Sequence, residues 1–208
     1  MSKIKGLIFD LDGTLIDNHD EYKMYMMSSV GRDINFNFGL EHANALWYSI
    51  KGDSRDHVIR SWGLDPDEFW SVFNTYEDIS KKLKGTYLHK DTAFLREIPF
   101  PKAIVTHTTY GHTDELLKLV GMRDLFNPIV SCTEDTGFKP SPLPLIYCVM
   151  DLKLDFDEVV YVGDTSSDIL AAKHAGIKSV YINRYDRPIL VKPDIEIKSL
   201  DELLEILR

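Results

Sequence analysis

The run Lys5-Gly6-Leu7-Ile8-Phe9-Asp10 constrains the fold most, because its apolar residues are continuous rather than alternating. A strand with that pattern must be covered on both faces, which is the condition of a parallel sheet sandwiched between helices. Asp10 then ends the strand at its carboxyl edge. Similar runs at Ala103 to Thr106, Val159 to Gly163 and Ser179 to Ile182, with a weaker one at Pro128 to Cys132, read as further strands. Helical patterns at His112 to Val120 and Thr165 to Ala175 separate them, and Gly176 stands where a helix C-cap favours glycine. Alternation of this kind predicts an α/β fold with a doubly wound parallel sheet. Ligands in such sheets gather beyond the strand carboxyl ends, where Asp10, Thr106 and Asp164 all fall.

From about Asn18 to Lys90 the alternation stops and apolar residues recur at helical spacing, which predicts a helical cap over 18–90 inserted into a core of 1–17 and 91–208. Gly63-Leu64-Asp65-Pro66 marks a turn, with Asp65 as N-cap of a helix starting at Pro66. Trp47, Trp62 and Trp70 suit packing of a small helical core better than substrate stacking. The run Leu200 to Leu207 predicts an amphipathic helix, preceded by a short strand at Ile195 to Ile197.

The 208 residues carry 24 Lys and Arg against 33 Asp and Glu, a formal charge of -9 that repels nucleic-acid backbones. No apolar stretch approaches the roughly 20 residues of a membrane span. Neither Cys132 nor Cys148 has metal or redox spacing, so the reducing cytosol is the expected compartment.

Chemistry concentrates at the strand ends. In extended chain Asp10 and Asp12 project to one side, Gly13 permits a sharp turn, and Thr14 can bond the backbone so that the loop amides face an anion. Taken alone, Asp12-Gly13 is an ordinary turn pair. Gly163-Asp164-Thr165-Ser166-Ser167-Asp168 places two more carboxylates at the same edge, and so much negative charge calls for a hard cation with oxygen ligands, which suits Mg²⁺. Asp168 is equally suited to compensating a helix N-terminus. Lys139, before Pro140, can balance carboxylates and a phosphoryl group, and the Thr106 hydroxyl with the His107 amide can bind phosphoryl oxygens.

Together, Phe9-Asp10-Leu11-Asp12-Gly13-Thr14-Leu15, Thr106, Lys139-Pro140 and Gly163-Asp164 through Asp168 resemble the four ordered motifs of the haloacid dehalogenase-like superfamily. The likeness spans residues 4 to about 185, and the cap's place resembles that of phosphoglycolate phosphatases and β-phosphoglucomutases. It implies that Asp10 is a nucleophile forming an aspartyl phosphate, with Asp12 as general acid and base. By the same likeness Asp10, the Asp12 carbonyl and Asp164 hold Mg²⁺, Lys139 and Thr106 hold the phosphoryl oxygens, and Asp168 supports the metal waters or orients Lys139. The second Asp of the first motif favours phosphate esters as substrates, so a small-molecule phosphatase is expected. A sugar phosphomutase and a non-catalytic phosphate-binding regulator remain open. His107 departs from the Asn often found in relatives, and its imidazole is expected to bond local backbone. In the cap, Lys51 and Arg55 are the specificity candidates, Arg55 having a surface ion pair as its alternative.

Overall fold

The computed structural model describes residues 3–48, 55–187 and 189–207. In chain order the elements are β1 (Gly6–Phe9), β2 (Ile16–Asn18), α1 (Asp20–Asp33), α2 (Leu40–Tyr48), α3 (Arg55–Ser61), α4 (Pro66–Tyr76), α5 (Ile79–Lys84) and β3 (Thr86–Leu88). A 3₁₀ stretch, Lys90–Arg96, leads into β4 (Lys102–Thr106), α6 (Tyr110–Leu119), β5 (Phe126–Ser131), α7 (Leu143–Leu152), β6 (Val159–Gly163), α8 (Ser166–Ala175), β7 (Lys178–Ile182), β8 (Ile195–Ile197) and α9 (Leu203–Ile206).

The chain divides into two compact units, Met1–Asp17 with Leu88–Arg208, and Asn18–Tyr87. In the first, six parallel strands lie in the order β5-β4-β1-β6-β7-β8. Chain order thus runs outward from β1 on one side and returns to β6 on the other, and the reversal between β1 and β6 is the switch point that opens a crevice at the carboxyl edge. Ile8, Ala103, Val105, Val159 and Tyr161 share one face with Leu145, Cys148 and Val149 of α7 and Ala171 and Ala172 of α8. Leu7 and Phe9 are equally buried on the other face, where Phe9 meets Phe126 edge-on. Burial on both sides is why the β1 run is continuously apolar.

The expected strands and helices of this unit are present, and Gly176 caps α8 with a φ of 72°. The C-terminus is less regular than the expected helix over 200–207. A 3₁₀ turn, Leu200–Glu202, is held by a Ser199–Glu202 capping box and passes into the four-residue α9, so that Leu200 and Leu203 are buried three residues apart.

The second unit is helical from α1 to α5, with Met27, Val30, Phe38, Ala43, Leu46, Ile59 and Phe69 at its core and all three Trp packed against it. The Trp70 indole also donates to Asp56 at 2.8 Å. Asp65 caps α4 through bonds from the Asp67 and Glu68 amides at 2.8 and 3.1 Å, with Pro66 in the first turn. The ribbon of β2 and β3 was not foreseen, its strands being only three residues each. Arg55 opens α3 and is exposed, whereas Lys51 lies outside the described residues. Among the described residues, no helix is long and apolar enough to cross a membrane.

Candidate active site

Three adjacent strands deliver the site. Asp10 follows β1, Thr106 ends β4, and Asp164 follows β6 at the start of the turn into α8. The Asp10 amide donates to the Val162 carbonyl at 2.8 Å, extending the β1–β6 ladder by one bond and fixing where the carboxylate stands. Asp10, Asp164 and Asp168 each offer an oxygen within 4.8 Å of the others. Gly163 allows this closeness, because a Cβ there would collide with the Asp168 side chain.

Lys139 is buried among these acids. Its ammonium donates to Asp10 Oδ1 at 2.6 Å, Asp168 Oδ1 at 2.8 Å and Tyr161 Oη at 3.2 Å. Tyr161 Oη in turn donates to Asp168 Oδ1 at 2.8 Å. Asp168 Oδ2 accepts from the Thr165 amide at 3.0 Å and from its hydroxyl. Both oxygens of Asp168 are thus occupied by protein donors, an arrangement that suits orienting Lys139.

Asp164 differs, since its Oδ1 is buried and has no hydrogen-bond partner. A buried orphan acceptor is costly unless something absent from the protein satisfies it. With three oxygen donors this close, the chemistry of the set fits a hard divalent cation.

Charges follow from this crowding. Burial, reinforced by Asp168 and Asp12, pushes the Asp10 carboxyl up to about 7 although Lys139 opposes the shift. Burial raises Asp164 well above the usual carboxylate range, with Asp10 and Asp168 adding to it. Asp168 is also penalised by burial, but Lys139, Thr165 and Tyr161 outweigh that and hold it low. Burial would lower the Lys139 ammonium, yet Asp10 and Asp168 more than offset it and raise its proton affinity.

Asp12 is held separately. Its Oδ2 accepts from the Thr108 hydroxyl at 2.7 Å, while the Thr108 amide donates to Thr106 Oγ1 at 3.1 Å. Thr106 therefore keeps its own hydroxyl hydrogen to donate elsewhere. One expectation is corrected here: the Gly13 amide does not face an anion but donates to the Ile16 carbonyl at 2.7 Å, closing the turn. Gly13 is needed for its φ of 85° and because a Cβ would strike the Asp164 carboxylate. The His107 imidazole bonds a remote backbone group instead of the local one expected: Nε2 accepts the Lys139 amide at 3.1 Å.

Tyr161, Thr108 and Arg184 were not foreseen. Arg184 forks onto both oxygens of Asp91 at 2.7 and 3.1 Å and donates to the Thr14 carbonyl at 2.8 Å, tying down the loop that follows Asp12. Tyr161 reads as an ordinary strand aromatic, and nothing near Arg184 in sequence points to Asp91. A weak signal existed for Thr108, a hydroxyl two residues past a strand end.

The model of the family described as haloacid dehalogenase-like hydrolase matches residues 7–182. This chain belongs to that family. Among its relatives, a putative pyrophosphatase PpaX of Caldanaerobacter subterraneus is 27% identical over 216 residues, covering 99% of this chain and 96% of the relative. A phosphoglycolate phosphatase of Neisseria meningitidis is 29% identical over 222 residues, covering 99% and 94%. The crystal structure described as a predicted phosphoglycolate phosphatase from Haemophilus somnus superposes with a TM-score of 0.79 at 25% identity over the whole of both chains. A haloacid dehalogenase-like protein from Streptococcus pneumoniae shares the fold, with a TM-score of 0.81 at 18% identity.

Proposed function

We propose that this family member is a Mg²⁺-dependent phosphatase that hydrolyses a small phosphate monoester through an aspartyl phosphate on Asp10. The observation that carries the reading is the pairing of Asp10 with the buried Lys139 ammonium beside an Asp164 oxygen that the protein itself leaves unpartnered.

Asp10, the Asp12 carbonyl and Asp164 would hold the cation, with Asp168 orienting Lys139 or supporting the metal waters. When bound, Mg²⁺ would supply the positive charge that keeps Asp10 and Asp164 ionised and draws electron density from a phosphoryl oxygen. The Asp10 carboxylate attacks phosphorus, forming one O–P bond as the bond to the alcohol oxygen breaks, and Asp12 gives that oxygen its proton. The Asp12 carboxylate then takes a proton from water as the water oxygen attacks phosphorus and the Asp10 O–P bond breaks. Lys139 and the Thr106 hydroxyl stabilise charge on the phosphoryl oxygens in both steps. Thr108 fixes the Asp12 carboxyl in the orientation both proton transfers need.

The helical unit, inserted in sequence just after the Asp10 loop, is the proposed lid that recognises the leaving group, with Lys51 and Arg55 its candidate contacts. The expected substrate class is small and anionic, in keeping with relatives named for pyrophosphate and phosphoglycolate.

The purified protein is expected to release phosphate from p-nitrophenyl phosphate with Mg²⁺, to lose that activity in EDTA and to regain it when Mg²⁺ returns. A metabolite panel containing pyrophosphate, phosphoglycolate and sugar phosphates then identifies the preferred substrate. Isomerisation of a sugar phosphate without net phosphate release, or inertness across the panel with metal present, would refute the reading.

A further inference from the structure

Lys139 lies in a turn between β5 and α7, outside any strand ladder or helix, closed by the Ser141 amide donating to the Phe138 carbonyl at 2.8 Å. Its ammonium is held by Asp10, Asp168 and Tyr161, so the head of the side chain is well determined. At the root of the side chain, the backbone N–H donates to His107 Nε2 at 3.1 Å, a contact between residues 32 apart in sequence. The same N–H faces the Cys132 thiol, a much weaker acceptor. An imidazole that accepts at Nε2 must carry its proton on Nδ1 and be neutral at the accepting nitrogen. The ring is steadied by an edge-on contact with Phe138, at 5.9 Å between centroids. His107 directly follows Thr106, the last residue of β4, a strand buried along its whole length.

We propose that His107 is a positioning residue for phosphoryl transfer. Its imidazole fixes the backbone of Lys139 to the end of β4, so that the ammonium keeps its place on Asp10 while charge redistributes around phosphorus. This rests on the phosphatase reading of the site. The contribution belongs to the transition state rather than to substrate capture, because a displaced ammonium costs most where phosphoryl charge is redistributed.

The test compares His107→Leu, which keeps the volume and removes the acceptor, with His107→Gln, whose Oε1 reaches about as far as Nε2. Steady-state kinetics on p-nitrophenyl phosphate with Mg²⁺ are expected to show His107→Leu with kcat reduced about tenfold to a hundredfold and KM changed less than about threefold. His107→Gln should recover most of the loss. Affinity for aluminium fluoride, a planar mimic of the phosphoryl group in transfer, measured by calorimetry with Mg²⁺, should weaken in the Leu variant and recover in the Gln variant. Melting of each variant checks that the fold persists, and His107→Ala serves as a second acceptor-free variant.

An active wild-type protein whose His107→Leu variant keeps kcat within about threefold overturns the inference alone. So does loss in both Leu and Gln, or unfolding of every acceptor-free variant, which would make the role structural. A wild-type protein that neither releases phosphate nor binds aluminium fluoride overturns the phosphatase reading, and this inference falls with it.

Discussion

Asp10→Asn is expected to lower phosphate release from p-nitrophenyl phosphate by at least about 10⁴-fold, as removal of a nucleophile from a residue set that acts as a unit does. The loss should appear in kcat, since the neutral amide cannot form the O–P bond whatever the substrate concentration. The fold should not suffer. Burial beside Asp168 and Asp12 raises the Asp10 carboxyl to about 7, so at neutral pH the metal-free site resists holding this charge. A folded-state value above the unfolded one, about 3.9, means that Asp10 contributes most to stability below pH 4 and that this contribution is lost as pH rises through about 7. Asn carries no such penalty and still offers an oxygen to Lys139. Metal-free Asp10→Asn at pH 7.5 is therefore expected to melt at or above the wild-type temperature, and the difference should shrink towards pH 5. Activity loss accompanied by a markedly lower melting temperature would instead point to a structural role for Asp10.

Lys139→Met removes the cation that touches both Asp10 and Asp168. Breaking a buried ionic network from one side costs about 3–5 kcal/mol, because the acids left behind are buried without their partner. At about 2–4 °C per kcal/mol in a chain of this size, melting should fall by roughly 10 °C. The pH dependence has a definite sign. Asp168 is held low chiefly by Lys139 against its burial, so in the wild type it contributes stability above the unfolded carboxylate value and loses it as pH falls. Without Lys139 that contribution becomes a penalty at neutral pH, and the deficit of Lys139→Met should narrow on acidification from pH 8 to pH 5. Its kcat should drop by about 10³-fold, in the range seen when a donor to developing charge is removed. Urea unfolding at the two pH values, read beside kcat, checks both halves.

The strand-end acids were legible because two local signals coincide. A short run apolar on every residue and rich in β-branched or aromatic side chains reads as a strand covered on both faces, and the residue that ends it then lies at the carboxyl edge where ligands gather. Asp10, Thr106 and Asp164 follow from that argument. The family match supports the core and the chemical class it hosts. What escaped was mostly long-range. Tyr161 reaches Asp168 and Lys139 from the middle of a core strand, and Arg184 meets Asp91 from 93 residues away. Neither pairing leaves a trace in local periodicity. A turn can direct its donors outward or close on itself, and the bond from the Gly13 amide to the Ile16 carbonyl chooses the second for that donor. The C-terminal pattern of Leu200 and Leu203 fits an α-helix and a 3₁₀ turn alike, since both bury residues three apart on one side. Substrate choice is written least, since the acids proposed for transfer are indifferent to the alcohol that leaves.

During turnover Asp10 is expected to carry a covalent bond to phosphorus. Borohydride reduction of the protein during turnover of p-nitrophenyl phosphate with Mg²⁺, followed by peptide mass mapping, reads it directly. The expected result is conversion of Asp10, and of no other carboxylate, to homoserine, dependent on both substrate and metal. Continued phosphate release with Asp10 unmodified, or with the reduced residue at another position, would contradict it.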